Sequence, residues 1–341
     1  MPTAKTKHTN EWQNKQMQDG NSKDRFVILG QEIKLGESAV IEMEVAKLHT
    51  RNSLSIPIIV ERASCEGPVL LLMGGVHGDE INGVAIVRDL IRKKINKPTR
   101  GTVICIPVFN VFGYLNQQRE FPDGRDLNRM FPGTAKGSLA SQFAHKFTEE
   151  IAPLVDYILD FHTGGGNRYN YPNIRCDFKQ TEMVRLAKIF GAPFVVHSNY
   201  IAKSIRETIN KMGKSILLFE GGKSLQLDQS VVKCGVEGTL NLMKHLKMQD
   251  GEIKIEEEPI VLKDSKWLRA PYSGIFEPLV NNGCRVQRKA IIGRISDPYG
   301  EFEKKIYAPF NGYIFGVNTA PIVYKGDAIF HVSVEENTHV D

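Results

Sequence analysis

The sequence predicts an α/β fold, with a small all-β region at its C-terminal end. Three observations predict it. Short, continuously apolar runs recur between about residues 69 and 219, each too short for a helix and bounded by Gly, Pro or polar residues. Segments with helical spacing of apolar residues alternate with them, which implies a sheet covered on both faces. Beyond about residue 258 the texture changes to short strands and Gly turns.

In chain order, residues 26–63 read as β structure. Val40-Ile41-Glu42-Met43-Glu44-Val45 partly alternates, and residues 55–60 form a further extended run. The strand–helix rhythm then begins with a strand at 69–73 and a helix at 80–94, where Ile81, Val84, Ala85, Val87, Leu90 and Ile91 fall near one face. A strand at 102–107, a helix at 138–151 and a strand at 157–161 follow. Then come a helix at 181–190, a strand at 194–196, a helix at 203–212, a strand at 215–219 and a long helix at 227–246. Residues 167–177 read as a loop without an assigned place. In open α/β sheets ligands gather at the carboxyl ends of strands, so those ends are where chemistry is sought.

A polar, charged stretch at 248–258 reads as a linker. The expected organisation is a disordered N-terminal arm at 1–24, a catalytic domain at 25–250 and a C-terminal β domain at 258–341. Within the last, Ala270-Pro271-Tyr272-Ser273-Gly274 and Ala308-Pro309-Phe310-Asn311-Gly312 form a weak internal repeat. The region is similar to a barrel-sandwich of biotinyl/lipoyl type. A carrier domain of that shape would present a lysine at a hairpin tip. Lys304 and Lys305 lie nearby without the flanking residues a modifying enzyme would recognise, so a structural or gating role is expected.

Composition narrows the function. Hydrophobic residues make up 41% and charged residues 24%, which is ordinary for a globular protein. The net charge of +5 is spread among 39 acidic residues with no basic stripe, so nucleic acid is not an expected partner. No stretch has the continuous apolar length of a membrane span, and the first 24 residues lack the apolar segment of a signal peptide. Five widely spaced cysteines with no C-x-x-C pair read as reduced. The expectation is a cytoplasmic protein acting on a small molecule; the sequence also permits a homo-oligomer.

Val76-His77-Gly78-Asp79-Glu80 follows the 69–73 strand through a Gly-Gly turn, so one bend can aim an imidazole and a carboxylate at the same ion. A second strand ends in Asp160-Phe161-His162-Thr163-Gly164. Two His and one Glu at strand ends form the three-ligand set of a catalytic zinc with one open position. The competing reading makes His77 and His162 ordinary turn residues bonded to backbone carbonyls. A third strand ends in Glu220-Gly221-Gly222, placing a carboxylate where it could act as a base; pairing with Lys223 is the alternative. The segment from Arg119 to Gly133 is bracketed by Pro-Asp-Gly and Phe-Pro-Gly and carries Arg119, Arg125 and Arg129 beside Asn128. Arginine forks suit a carboxylate, although one of the three, Arg125 above all, is expected to pair with a neighbouring acid.

His77-x-x-Glu80, the Arg-Asp-Leu-Asn-Arg loop ending in Phe131-Pro132-Gly133, Asp160-Phe161-His162 and Phe219-Glu220-Gly221 occur in one order. Together they resemble the succinylglutamate desuccinylase/aspartoacylase family, relatives of the zinc carboxypeptidases, from about Val69 to the end. The resemblance implies a carboxypeptidase-like mixed sheet flanked by helices, with one zinc per chain on His77, Glu80 and His162. It also implies Glu220 as base, Asn128 and Arg129 on the substrate carboxylate, and Arg119 polarising the scissile carbonyl. Two extra residues separate Arg119 from Asp-Leu-Asn-Arg relative to the animal aspartoacylase pattern, so Arg125 competes for that last role. The implied activity is removal of an acyl group from an N-acyl amino acid. A metallocarboxypeptidase acting on short peptides is the nearest alternative, and a protein with a purely structural metal is a more distant one, since no cysteine neighbours the ligands.

Overall fold

A computed structural model describes residues 25–335. The expected N-terminal arm at 1–24 lies outside the described residues. A hairpin of β1 (Phe26–Ile28) and β2 (Gln31–Ile33) turns through Leu29 and Gly30, and leads into the long antiparallel pair β3 (Ser38–Lys47) and β4 (Ser53–Arg62). In β3 the alternation is real: Ile41, Met43 and Val45 are buried while Glu42 and Glu44 are exposed. That is the pattern of a strand covered on one face.

The centre of the sheet is four parallel strands in the order β6 (Thr102–Ile106), β5 (Val69–Gly74), β7 (Tyr157–Gly164), β10 (Ser215–Lys223). Successive residues of these strands feed opposite cores, which is why the runs are continuously apolar. Leu70 and Leu72 pack with α1 (Ile81–Arg92), and α4 (Thr181–Phe190) and α6 (Gln229–His245) cover the same face. Leu71 and Met73 pack on the other face with the phenylalanines of α3 (Leu139–Glu150) and with Ile205 and Ile209 of α5 (Ile205–Lys211). A short helix α2 (Val111–Asn116), not read from the sequence, is capped by the Asn110 side chain accepting from Gly113 N. Ser138, Ser204 and Asp228 cap α3, α5 and α6 in the same way and set where those helices begin. No helix among the described residues is long and apolar enough to cross a membrane.

The segment read as a loop at 167–177 is instead a strand, β8 (Arg168–Cys176), and it joins the two parts of the sheet. One edge pairs antiparallel with β10. The other pairs with β17 (Gly312–Asn318) in its first half and with β9 (Phe194–His197) in its second. The physical reason it resisted reading is a bulge: Asn173 opposes Glu220, but Asn170 opposes Gly222. Three steps on β8 match two on β10, so the side-chain alternation changes phase around Pro172 and no period of two survives.

Past residue 258, β11 (Ile260–Leu262) pairs parallel with β9, and β12 (Ser265–Arg269) and β19 (Ala328–Ser333) extend the large sheet beyond β17. A four-stranded sheet of β16 (Glu303–Tyr307), β15 (Ile291–Ser296), β13 (Gly274–Pro278) and β18 (Ile322–Val323) makes the other layer, and β14 (Arg285–Val286) pairs with β17. Ala270, Phe276, Ile295, Ala308, Ile314 and Phe330 share the core of this region. The two A-P-x-x-G segments are therefore equivalent in position: each buries its alanine, and its glycine opens a strand. Lys304 and Lys305 sit inside β16, paired with Ile295 and Arg294, and not at a hairpin tip.

Candidate metal centre and substrate cavity

Where α1 begins is fixed by two glycines. A Cβ on Gly83 would stand 2.3 Å from the Phe161 carbonyl oxygen, and one on Gly74 would stand 2.6 Å from the Gly83 backbone. Helix α1 therefore lies directly on the carboxyl ends of β5 and β7. Residues His77 to Glu80 are the turn between β5 and α1. Glu80 occupies the N-cap position of α1 without capping it with its side chain. The carboxylate is turned inward instead, where Oε1 lies 2.8 Å from His77 Nδ1 and Oε2 lies 2.8 Å from His162 Nδ1. Thr163 N donates to Oε2 at 3.0 Å, fixing the carboxylate to the end of β7.

The three side chains are almost wholly buried, and their candidate ligand atoms all lie within 4.8 Å of one another. The two Nδ1 atoms are 3.2 Å apart. On the other side of each ring, His77 Nε2 is hydrogen-bonded to Asp126 Oδ1 at 3.1 Å, and His162 Nε2 lies 2.9 Å from Asp160 Oδ2 without the alignment of a hydrogen bond. Carboxylates at Nε2 favour the N–H there, which leaves both Nδ1 lone pairs converging on Glu80. Converging lone pairs and a carboxylate need a cation between them, so the donor set fits zinc, with two His and one Glu leaving a coordination position open. Without a metal a proton serves the same end. Burial disfavours charge on both imidazoles, yet Glu80 on His77, and Asp160 with Glu80 on His162, raise both rings above the usual histidine range. Burial likewise opposes the Glu80 charge, and the two imidazoles outweigh it, holding its carboxyl well below the ordinary value.

Arg119 reaches the same cluster. Its Nη1 is 3.1 Å from Glu80 Oε1 and its Nη2 donates to Asp126 Oδ2 at 2.9 Å, with about a third of the side chain exposed toward the cavity. Arg125 does not come near: half exposed, it donates to the Asp123 backbone carbonyl and pairs with the Asp123 carboxylate. The pairing with a loop acid expected for at least one of the three arginines is met by Arg125 on Asp123, outside the cavity, and Arg119 also pairs with Asp126. Asn128 and Arg129 both line the cavity. Asn128 Oδ1 accepts from Ile205 N at 2.9 Å, and Arg129 Nη1 donates to the Asn128 carbonyl oxygen at 2.7 Å. Glu220, opposite His162 in the β10–β7 ladder, faces the same space. Asn170 Nδ2 donates to its Oε2 at 2.8 Å.

The cavity has a volume of about 720 Å³. Its lining includes residues the sequence reading missed. Arg168, Asn170 and Arg175 come from β8, hidden by the bulge, and Arg206 comes from the first turn of α5. Arg206 is buried, with its Nε unpartnered and its Nη2 donating to the Ser198 carbonyl oxygen. Burial of this group, with Arg175 close by, lowers its proton affinity. Trp267 and Tyr324 come from the C-terminal strands and their turns, which form one wall of the mouth. A signal was available for Arg206, since Ser204-Ile205-Arg206 places it in the first turn of a capped helix.

Comparison with known proteins bears on the family and the fold. Residues 66–246 match the family described as the Succinylglutamate desuccinylase/Aspartoacylase catalytic domain. The chain is 30% identical over 260 residues to the N-alpha-acetyl-L-2,4-diaminobutyric acid deacetylase of Halomonas elongata, covering 72% of this chain and 75% of that one. The crystal structure of a succinylglutamate desuccinylase/aspartoacylase from Rhodobacter sphaeroides superposes with a TM-score of 0.77 at 25% identity, covering 88% of this chain and 96% of the other. The product-bound ectoine utilization protein EutE (DoeB) from Ruegeria pomeroyi has a TM-score of 0.79 at 22% identity, covering 91% and 98%; at that identity the likeness concerns the fold.

Proposed function

This chain belongs to the succinylglutamate desuccinylase/aspartoacylase family, and from that premise we propose that it is a zinc-dependent hydrolase releasing the acyl group of a small N-acyl amino acid. The observation that carries the reading is the convergence of the His77 and His162 Nδ1 atoms on the Glu80 carboxylate at the foot of a cavity lined by arginines. The curated relative is a deacetylase of an N-acetylated amino acid, which supports the same reaction class.

His77, Glu80 and His162 would hold the ion. Zinc in that position would supply Lewis acidity, lowering the pKa of a water molecule towards neutrality and drawing charge from the acyl carbonyl. The remaining work belongs to the chain. Glu220 takes a proton from the attacking water and returns it to the departing nitrogen. Arg119, held by Asp126 and Glu80, presents its guanidinium to the carbonyl oxygen as negative charge develops there. Arg129 holds the substrate carboxylate, with its fork aimed by the Asn128 carbonyl; Asn128 itself is anchored on Ile205 N.

A panel of N-acyl amino acids and their carboxyl amides, scored for free amine, tests this function. The free acids should be cleaved about 30- to 1000-fold better than the amides, because a charge-assisted pair is lost in the latter. Equal cleavage of acids and amides would point to a broader amidase. Cleavage of dipeptides in preference to acyl amino acids would favour a metallocarboxypeptidase.

A further inference from the structure

Asn170 stands between two glycines in the sheet. Its neighbour across the β8–β10 ladder is Gly222, and across the β8–β17 ladder it is Gly316. With no Cβ on Gly316, the side chain can lie over the sheet towards Glu220, while the bare face of Gly222 receives Asn82. Gly316 is constrained to be small: a Cβ there would stand 2.9 Å from the His331 Cβ and 3.2 Å from Asn170 Oδ1. Asn170 is buried, and its Nδ2 donates to Glu220 Oε2 at 2.8 Å. Its Oδ1 has no partner. Exchanging the amide oxygen and nitrogen would set Oδ1 against a carboxylate oxygen, so the charge on Glu220 fixes which way the amide points. Among the described residues no other group donates a hydrogen bond to the Glu220 carboxylate; Arg175 Nε is 3.9 Å from Oε1. Asn173 Nδ2 holds the Glu220 backbone carbonyl at 3.3 Å, so the same strand grips both ends of this residue.

We propose that Asn170 is a positioning residue for hydrolysis. Its amide pins Oε2 of Glu220 and leaves Oε1 as the oxygen that handles the proton. Gly316 makes the C-terminal sheet the backing of that amide. The inference rests on Glu220 being the base. It also gives the β17 strand a part in catalysis beyond shaping the mouth of the cavity.

The test is steady-state kinetics of Asn170→Leu, which keeps the branched shape and removes the donor, with Asn170→Ala as a second variant should the first fold poorly. Each is measured alone and combined with Glu220→Gln. Zinc content and melting temperature are followed throughout. The expected result is kcat lowered roughly 10- to 100-fold, the worth of a hydrogen bond to a charged group, with KM and zinc content close to wild type. In the Glu220→Gln background, losing Asn170 should add no further loss. Wild-type kcat in an Asn170 variant while Glu220→Gln is inactive would overturn the proposal and leave the base assignment standing. A further multiplicative loss in the double variant would also overturn it, because Asn170 would then act on something else. An active Glu220→Gln enzyme would remove the base assignment, and the proposal with it.

Discussion

The Nδ1 atoms of His77 and His162 lie 3.2 Å apart, with both rings turned edge to face and both opposed to Glu80. Two imidazoles do not approach through their unprotonated nitrogens unless something positive is shared between them. Outside the cluster, Asp126 accepts from His77 Nε2 and the Asp160 carboxylate lies 2.9 Å from His162 Nε2, so negative charge stands behind both rings.

Asp160 is fully buried, so its effect on His162 is not screened by solvent. Asp160→Asn should weaken zinc binding about 10- to 100-fold, measured by competition with a chromophoric chelator. An unchanged affinity would mean that Asp160 serves the strand and not the ring.

Arg119 and Arg125 should separate cleanly. Arg119→Ala is expected to lower kcat about 10²- to 10³-fold, as removal of an oxyanion donor does. Because Arg119 also touches Glu80, zinc content must be measured alongside to separate loss of metal from loss of chemistry. Arg125→Ala, on the surface with Asp123, should stay close to wild type. A large effect at Arg125 would reverse the assignment.

His331 gives the fold a pH dependence apart from the His77, Glu80 and His162 cluster. It is packed between Trp267 and Phe315, with Nε2 3.0 Å from Ser265 Oγ and Nδ1 unpartnered. Burial, with Arg175 and Arg168 nearby, pushes its pKa down to about 3. An unfolded histidine titrates near 6.5. Below that pH the unfolded chain takes up a proton that the folded one refuses, so this stability is whole above about 6.5 and falls as pH drops towards 3. Between pH 7.5 and 5 the loss should be roughly 2 kcal/mol. Urea unfolding of wild type against His331→Gln checks it: the gap between the two should narrow by that amount, and a constant gap would refute it.

The central strands and the grouping of His77, Glu80 and His162 were legible because each depends on local pattern. The run Leu70 to Met73 is apolar since both faces are covered, and His77 and Glu80 follow it through one short turn. Asn170, Arg175 and Arg168 were not legible: the bulge opposite Glu220 and Gly222 erases the alternation that would have marked β8. The same strand takes its second partner, β17, from more than 140 residues downstream, a pairing that no local pattern announces. The choice between Arg119 and Arg125 needed coordinates as well, since five residues of loop carry the chain from one to the other and local spacing does not say which guanidinium turns inward.

Metal dependence of amine release tests the central claim most directly. The purified protein is assayed on a cleaved N-acyl amino acid before and after exhaustive chelation, with zinc quantified per chain. About one zinc per chain is expected on His77, Glu80 and His162. Chelation should abolish amine release and added zinc should restore it, while His77→Ala should fail to retain the ion. Undiminished hydrolysis by the metal-free protein, or full zinc occupancy in His77→Ala, would contradict the account.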